Sequence, residues 1–260
     1  MEYIRWCSGC GNYIILKNIN FILKNILKVK KKEIIFISGI GCSSRMVHYL
    51  NYLSINGTHG RSASIATGIY LSNKNIKIII ISGDGDTLSI GLNHFIHLIL
   101  NNINLIYIMI NNGIYALTKG QINNIVNKIN ILLLLLILKC KFIARVYDNS
   151  IKYFNKIFKK AYLFLGLSFI EIIQYCPIYN KKNRIESNIF ILKHNKYIKS
   201  NKYYLIYKKK KICKIKIKKK NIYKKYLLKH DITNYYKVFK LLNYLNEKNI
   251  SYIGIIYNII

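Results

Sequence analysis

Two kinds of ligand atom recur in short, glycine-rich contexts along this chain: hard oxygens and soft thiols. The oxygen set is Gly83-Asp84-Gly85-Asp86, followed further on by Asn111-Asn112-Gly113. A small divalent cation such as Mg²⁺ wants near-octahedral oxygen ligands and usually takes a carboxylate or two plus phosphate oxygens. Asp84 offers a carboxylate, Asn112 an amide oxygen, and a backbone carbonyl near Ile114 completes the protein half. The flanking glycines let the main chain approach a diphosphate closely. A lone Gly-Asp-Gly is also an ordinary turn; followed at this distance by Asn-Asn, with room between for one helix and one strand, it is a specific signal. The thiol set is Cys7-x-x-Cys10, with Cys42, Cys140, Cys176 and Cys213 further along. One Cys-x-x-Cys taken alone is equally a zinc site or a redox pair.

These residues must be positioned by something, and the apolar pattern says by what. Four short β-branched runs read as buried parallel strands: Glu33–Ser38, Ile76–Ser82, Leu105–Ile110 and Phe169–Ile173. Helical patterns lie between them at Arg61 to Leu71, Leu88 to Leu100 and Ile151 to Leu165, the last with Ser150 as N-cap and Gly166 behind it. Alternating strands and helices imply an α/β fold, a parallel sheet covered by helices on both faces. The polar and glycine-rich stretches, Gly39 to Arg45, Gly83 to Asp86, Asn111 to Gly113 and Gln174 to Cys176, each follow a strand directly. In an open parallel sheet ligands sit outside the carboxyl ends of the strands, so these four loops are expected to share one edge. Cys42 and Cys176 fall on that edge. Cys140 reads as a small buried hydrophobe, and Cys213 lies in a Lys-rich stretch with no role to assign.

After Asn180 the composition changes. Lys181 to Arg184 and Lys208 to Lys220 are charged and of low complexity, so residues 1–180 form the expected binding domain and 181–260 an extension of unassigned fold. The chain of 260 residues carries 42 Lys+Arg against 9 Asp+Glu, a net charge of +33, and 23 Tyr against one Pro and one Trp. A balance so basic can signal nucleic-acid or membrane-surface affinity. Here the lysines are interspersed with Ile and Tyr rather than gathered on one element, as expected of drift toward AT-rich codons, so neither partner is expected. The start lacks the apolar segment of a signal peptide, and the run from Ile131 to Leu138 is too short to span a bilayer. Six cysteines without an export signal point to a reducing, cytoplasmic setting with free, catalytic or metal-bound thiols.

The motifs carry a resemblance. The Gly-Asp-Gly to Asn-Asn segment looks like the thiamine-pyrophosphate motif. Trp6-Cys7-Ser8-Gly9-Cys10-Gly11, Ser38-Gly39-Ile40-Gly41-Cys42-Ser43-Ser44-Arg45, Thr58-His59-Gly60-Arg61 and Asn112 to Gln121 resemble the β subunit of 2-oxoacid:ferredoxin oxidoreductases, the 2-oxoglutarate type above all. The match runs in order from Trp6 to about Asn180. It implies that Cys7, Cys10, Cys42 and Cys176 ligate a [4Fe–4S] cluster, and that Asp84, Asn112 and the Ile114 carbonyl ligate Mg²⁺. It places Ile40, Gly41, Cys42, Ser43, Gly85, Asp86, Ala116 and Leu117 at thiamine-pyrophosphate contacts. His59 is implied as a cofactor or substrate contact and Lys119 at a position associated with coenzyme A. Two departures stand out: Ser8 replaces a usual Pro, and Ile122 to Asn127 replace a usual Pro-Thr segment.

The implied reaction is oxidative decarboxylation of 2-oxoglutarate to succinyl-CoA and CO₂, with electrons passing singly through the cluster to ferredoxin. Thiamine chemistry also needs a carboxylate against the aminopyrimidine ring. Of the nine acids, Asp84 and Asp86 belong to the diphosphate end, Glu171 lies within a strand and the rest lie outside the motifs. The expectation is that a partner α subunit supplies the activating glutamate and that this chain alone is inactive. Other readings share part of the pattern: pyruvate or broad 2-oxoacid specificity, a thiamine enzyme without electron transfer, which has no use for four thiolates, and a basic nucleic-acid-binding protein with a decayed site.

Overall fold

The apolar runs become neighbouring strands because a strand buried on both faces accepts an apolar side chain at every position. In the computed structural model, which describes residues 3–122, 128–180, 188–208, 211–216 and 226–259, these strands are β1 (Ile34–Ser38), β3 (Lys77–Gly83), β4 (Leu105–Asn111) and β8 (Ser168–Ile173). They pair in parallel in the order β1, β3, β4, β8. Outside β1 lies β2 (Leu53–Asn56), and beyond β8 lies β7 (Phe142–Tyr147), both parallel to their neighbours. The sheet ends with β12 (Tyr252–Asn258), antiparallel to β7, and β9 (Phe190–Leu192), giving eight strands.

Side chains alternate between two apolar layers. Ile35, Ile37, Ile78 and Ile80 face one, with Phe95, Leu132, Leu135, Val238 and Leu242. Ile34, Phe36, Ile79 and Ile81 face the other, with Ile19, Phe154, Ile157 and Phe158. Helices α2 (Ser62–Ser72), α3 (Leu92–Leu100), α4 (Ile131–Ile137) and α6 (Tyr235–Glu247) cover the first face; α1 (Asn12–Phe21) and α5 (Ile151–Leu163) cover the second. Each fully buried Ile contributes about 1.5–3 kcal/mol relative to an exposed one, so the central strands anchor everything at their ends.

Two helix boundaries and one capping contact differ from expectation for local reasons. Asp86–Ile90 form a wider π-helical turn, and α3 starts only at Leu92. The reason is close approach: a Cβ on Gly91 would lie 2.8 Å from the carbonyl oxygen of Gly60. Ser150 stands at the N-cap of α5, but its side chain makes no capping hydrogen bond; its carbonyl accepts the N–H groups of Tyr153 and Phe154 instead. α5 ends at Leu163, because the chain must reverse through Gly166, at φ +120°, to enter β8.

The segment read as an extension contributes to the same sheet and core. β9 and β12 form its far edge, and Val238, Leu241, Leu242 and Leu245 of α6 are buried in the first apolar layer. An antiparallel hairpin, β10 (Tyr203–Lys208) and β11 (Lys211–Lys216), stands beside it, with Cys213 exposed. Lys181 to Arg184, and 209–210 and 217–220 of the Lys-rich stretch, lie outside the described residues, as do 123–127. Among the described residues no helix is long and apolar enough to cross a membrane.

Candidate functional site

The strand ends deliver their loops to one rim. A cavity of about 130 Å³ is lined by Ile40 to Ser43 after β1, Gly83 to Asp86 after β3, and Asn112 with Ile114 to Thr118 after β4. His59, from the loop after β2, completes the wall. Every residue named above for thiamine pyrophosphate or Mg²⁺ lines this one cavity. Gly41 has φ +123°, and a Cβ there would meet nothing within 4 Å, so the bare backbone borders open space.

Asp84 and Asn112 face the same space with their orientation already set. Asp84 is 2% exposed, and its Oδ2 accepts the N–H of Gly113 at 3.1 Å. Burial pushes its carboxyl up to about 7, against the opposing effect of backbone N–H groups around it. Asn112 Oδ1 accepts the N–H of Ile114 at 3.1 Å, which holds the amide in place and leaves a lone pair on that oxygen. Asn112 O in turn accepts Asn180 Nδ2 at 2.6 Å, tying this loop to the one that follows β8.

Asp86 has a different part from Asp84. Its Oδ1 accepts the N–H groups of Gly60 at 2.8 Å and Ile40 at 3.2 Å, and its Oδ2 accepts the Ser82 hydroxyl at 2.7 Å. One carboxylate thus fastens the loops after β1, β2 and β3 together. Gly39 packs so tightly that a Cβ there would collide with this carboxylate. The His59 ring lies against Asp86, Nδ1 to Oδ1, at ion-pair distance but outside hydrogen-bond alignment.

The thiols gather next door. Cys7, Cys10, Cys42 and Cys176 line a second cavity of about 210 Å³, which shares Cys42, Asn112, Ala116 and Leu117 with the first. Burial, then the neighbouring thiols, push Cys10 up to about 11. Burial, then Cys176 and Cys7, raise Cys42, while Arg45 opposes the shift. Among the described residues no three Cys, His, Asp or Glu close around a single ion. Cys140 is buried away from this site, its S–H reaching Phe142 O at 3.5 Å, and burial pushes it to about 12.

Lys119 is the one predicted residue that lines neither cavity. It stands at φ +66° in the exposed turn between β5 (Ile114–Tyr115) and β6 (Gln121–Ile122). Among the described residues, no glutamate lines either cavity. Glu171 is fully buried, and its Oε2 pairs with Arg145 Nε at 2.6 Å.

Two residues at the rim escaped the sequence pattern. Asp148 directly follows β7, and its Oδ2 accepts the N–H of Tyr175 at 3.1 Å; a Cβ on Gly11 would collide with it. It therefore braces the Cys10 loop against the Cys176 loop. The signal was weak: Phe142 to Tyr147 is a short apolar run broken by Arg145 and followed by an acid. Gln174 is buried among the thiols. Its loop was marked, but its side chain was given no task.

Residues 39–172 match the family described as thiamine pyrophosphate enzyme, C-terminal TPP binding domain. The chain is 35% identical over 208 residues to the 2-oxoglutarate synthase subunit KorB of Methanothermobacter thermautotrophicus, covering 74% of this chain and 72% of that one. It belongs to the β-subunit family of 2-oxoacid:ferredoxin oxidoreductases. Another family member, the 2-oxoglutarate oxidoreductase subunit KorB of Mycobacterium tuberculosis, is 35% identical over 215 residues. That match covers 74% of this chain and 57% of the relative, so the chain spans about three fifths of the length of several curated family members it matches. The fold matches that of a solved 2-oxoglutarate:ferredoxin oxidoreductase from Magnetococcus marinus, with TM-score 0.80 and 23% identity over 100% of this chain and 82% of that one. The family's thiamine pyrophosphate domain thus runs from the loop directly after β1 into β8, and takes in the loops after β1, β2, β3 and β4 that build the first cavity.

Proposed function

We propose that this chain is the cofactor-holding half of an enzyme that oxidatively decarboxylates 2-oxoglutarate to succinyl-CoA and CO₂, passing electrons to ferredoxin. The observation that carries this reading is the shared wall of the two cavities, one lined by oxygen donors and glycine backbone, the other by four thiols. Thiamine pyrophosphate, when bound, supplies the electron sink for loss of CO₂.

The residues fit these groups. Asp84 is buried, and no ion pair with Lys, Arg or His is found for it among the described residues, the setting of a carboxylate whose counter-charge is a bound cation. Asp84, Asn112 and the Ile114 carbonyl would hold Mg²⁺, with the diphosphate against Ile40 to Ser43 and Gly85, and the rest of the cofactor toward Ala116 and Leu117. Cys7, Cys10, Cys42 and Cys176 would hold a [4Fe–4S] cluster. A cluster spreads four thiolates around several irons, which suits thiols that line one cavity without closing on a single ion. Asp86 acts as a positioning residue, holding the Ile40 and Gly60 loops, and His59, on the cavity wall beside Asp86, would contact cofactor or substrate. Lys119, on an exposed turn, would meet the phosphates of coenzyme A arriving from outside.

The balance explains the cluster. Conversion of the 2-oxoacid and coenzyme A to an acyl thioester and CO₂ releases two electrons, which two one-electron carriers must accept in turn. With no glutamate among the described residues that line the cavity, the carboxylate that activates the cofactor ring would come from an α subunit, and the chain alone would be inactive. Anaerobic co-expression with that subunit, followed by methyl-viologen reduction with coenzyme A and either 2-oxoglutarate or pyruvate, tests the reading. Turnover of 2-oxoglutarate by the pair and none by the lone chain is expected. Activity of the lone chain would refute the partner's role; preference for pyruvate would refute the substrate; a pair devoid of iron would leave a thiamine enzyme without electron transfer.

A further inference from the structure

Gln174 is the first residue beyond β8, and its position is fixed at the backbone, where its N–H donates to Asn111 O at 2.8 Å. Its side chain is 2% exposed and crosses the rim to Cys10, with Nε2 3.5 Å from Sγ. Gly11 leaves room for the crossing: a Cβ there would press on Gln174 Cγ at 3.0 Å. The same side chain lines the four-thiol cavity, two residues before Cys176. A ligand thiolate is an acceptor only, so the amide presents its N–H and not its carbonyl to the sulfur.

Such a hydrogen bond has a direction of effect. Reducing an iron–sulfur cluster adds a negative charge that spreads onto its sulfurs, so a donor aimed at one of them stabilises the reduced form more than the oxidised form. Hydrogen bonds to the sulfurs are among the features that set cluster potentials, and residues behind the ligands tune them. We infer that Gln174 tunes the midpoint potential of the cluster, raising it by donating its Nε2–H to Cys10 Sγ. This rests on the four-thiolate cluster proposed above. Gln174 is a tuning residue rather than a catalytic one, and its readout is a potential.

The test is an EPR-monitored redox titration of the anaerobically purified αβ complex, with iron and sulfide content measured on the same samples. Gln174→Met keeps length and bulk but has no N–H; Gln174→Glu also replaces the donor by a negative charge. Both are expected to retain wild-type iron and sulfide. The Met variant should lose roughly tenfold in the reduced-to-oxidised ratio at the wild-type midpoint, a fall of about 59 mV for a one-electron couple. The Glu variant should fall further. Loaded variants with an unmoved or raised midpoint would overturn the inference, and so would loss of the cluster from both variants, which would make Gln174 a scaffold. Absence of iron and sulfide from the wild type would instead remove the cluster reading underneath it.

Discussion

Replacing Asp86 by alanine removes the single acceptor shared by three loops, and the cost can be worked out donor by donor. The Gly60 N–H is buried and donates to Oδ1 at 2.8 Å, so its loss leaves an unsatisfied donor, about 2 kcal/mol. The Ile40 N–H, at 3.2 Å, belongs to a residue 38% exposed, so water replaces part of the bond and about 1 kcal/mol remains. The Ser82 hydroxyl can turn toward Gly83 O at 3.4 Å, which again leaves about 1 kcal/mol. His59 is set aside, because its ring is 37% exposed and solvent screens the pair. The sum is about 4 kcal/mol, equivalent to a fall in Tm of roughly 8–16 °C for a chain of this size. Asp86→Asn keeps one oxygen for Gly60 and Ile40 and can turn its amide to the Ser82 oxygen, so about 1–2 kcal/mol is expected. Urea unfolding followed by far-ultraviolet circular dichroism reads both variants. An Ala variant within about 1 kcal/mol of wild type, or an Asn variant as unstable as Ala, would refute the assignment of Asp86 as the fastener of the rim.

Gly39→Ala should abolish thiamine pyrophosphate binding in a calorimetric titration, since its methyl collides with the Asp86 carboxylate. Gly68→Ala, inside α2 with nothing within 4 Å of the new methyl, should raise stability by about 0.5–1 kcal/mol; a loss would contradict the packing described. His230 is buried, its Nε2 2.9 Å from Ile255 O, and burial lowers it from 6.5 to about 4. A depressed histidine contributes stability above its unfolded pKa that is lost as pH falls from about 6.5 toward 4, on the order of 3 kcal/mol in all. His230→Gln should flatten that part of the stability–pH curve. Arg145→Met alone strands the fully buried Glu171 and should cost about 3–5 kcal/mol, whereas Arg145→Met with Glu171→Leu should recover most of it; equal losses would refute a desolvation origin.

Much of the site was legible because its signals are local. A β-branched run followed at once by Gly, Asp, Asn or Cys encodes both a buried strand and the loop at its carboxyl end, and Asp84, Asn112 and the thiols at 42 and 176 were found in that phase. β7 was hidden for a physical reason. Arg145 interrupts the apolar run, and a partner strand carrying Glu171 beside it makes a half-buried guanidinium tolerable there. With β7 missed, Asp148 at its end was missed too.

The far edge of the sheet was equally hidden. Tyr252 to Asn258 contains an ordinary apolar stretch amid Lys-rich sequence, and nothing local says that it pairs antiparallel with a strand more than a hundred residues earlier. Residue types and their order along the chain determined what chemistry this protein is equipped for. Tertiary structure alone decided which carboxylate faces the cavity and which braces it, that Gln174 reaches Cys10, and that Lys119 stands outside both cavities. Those outcomes depend on hydrogen bonds between loops far apart in sequence, and such bonds exist only once the sheet has brought its strand ends together.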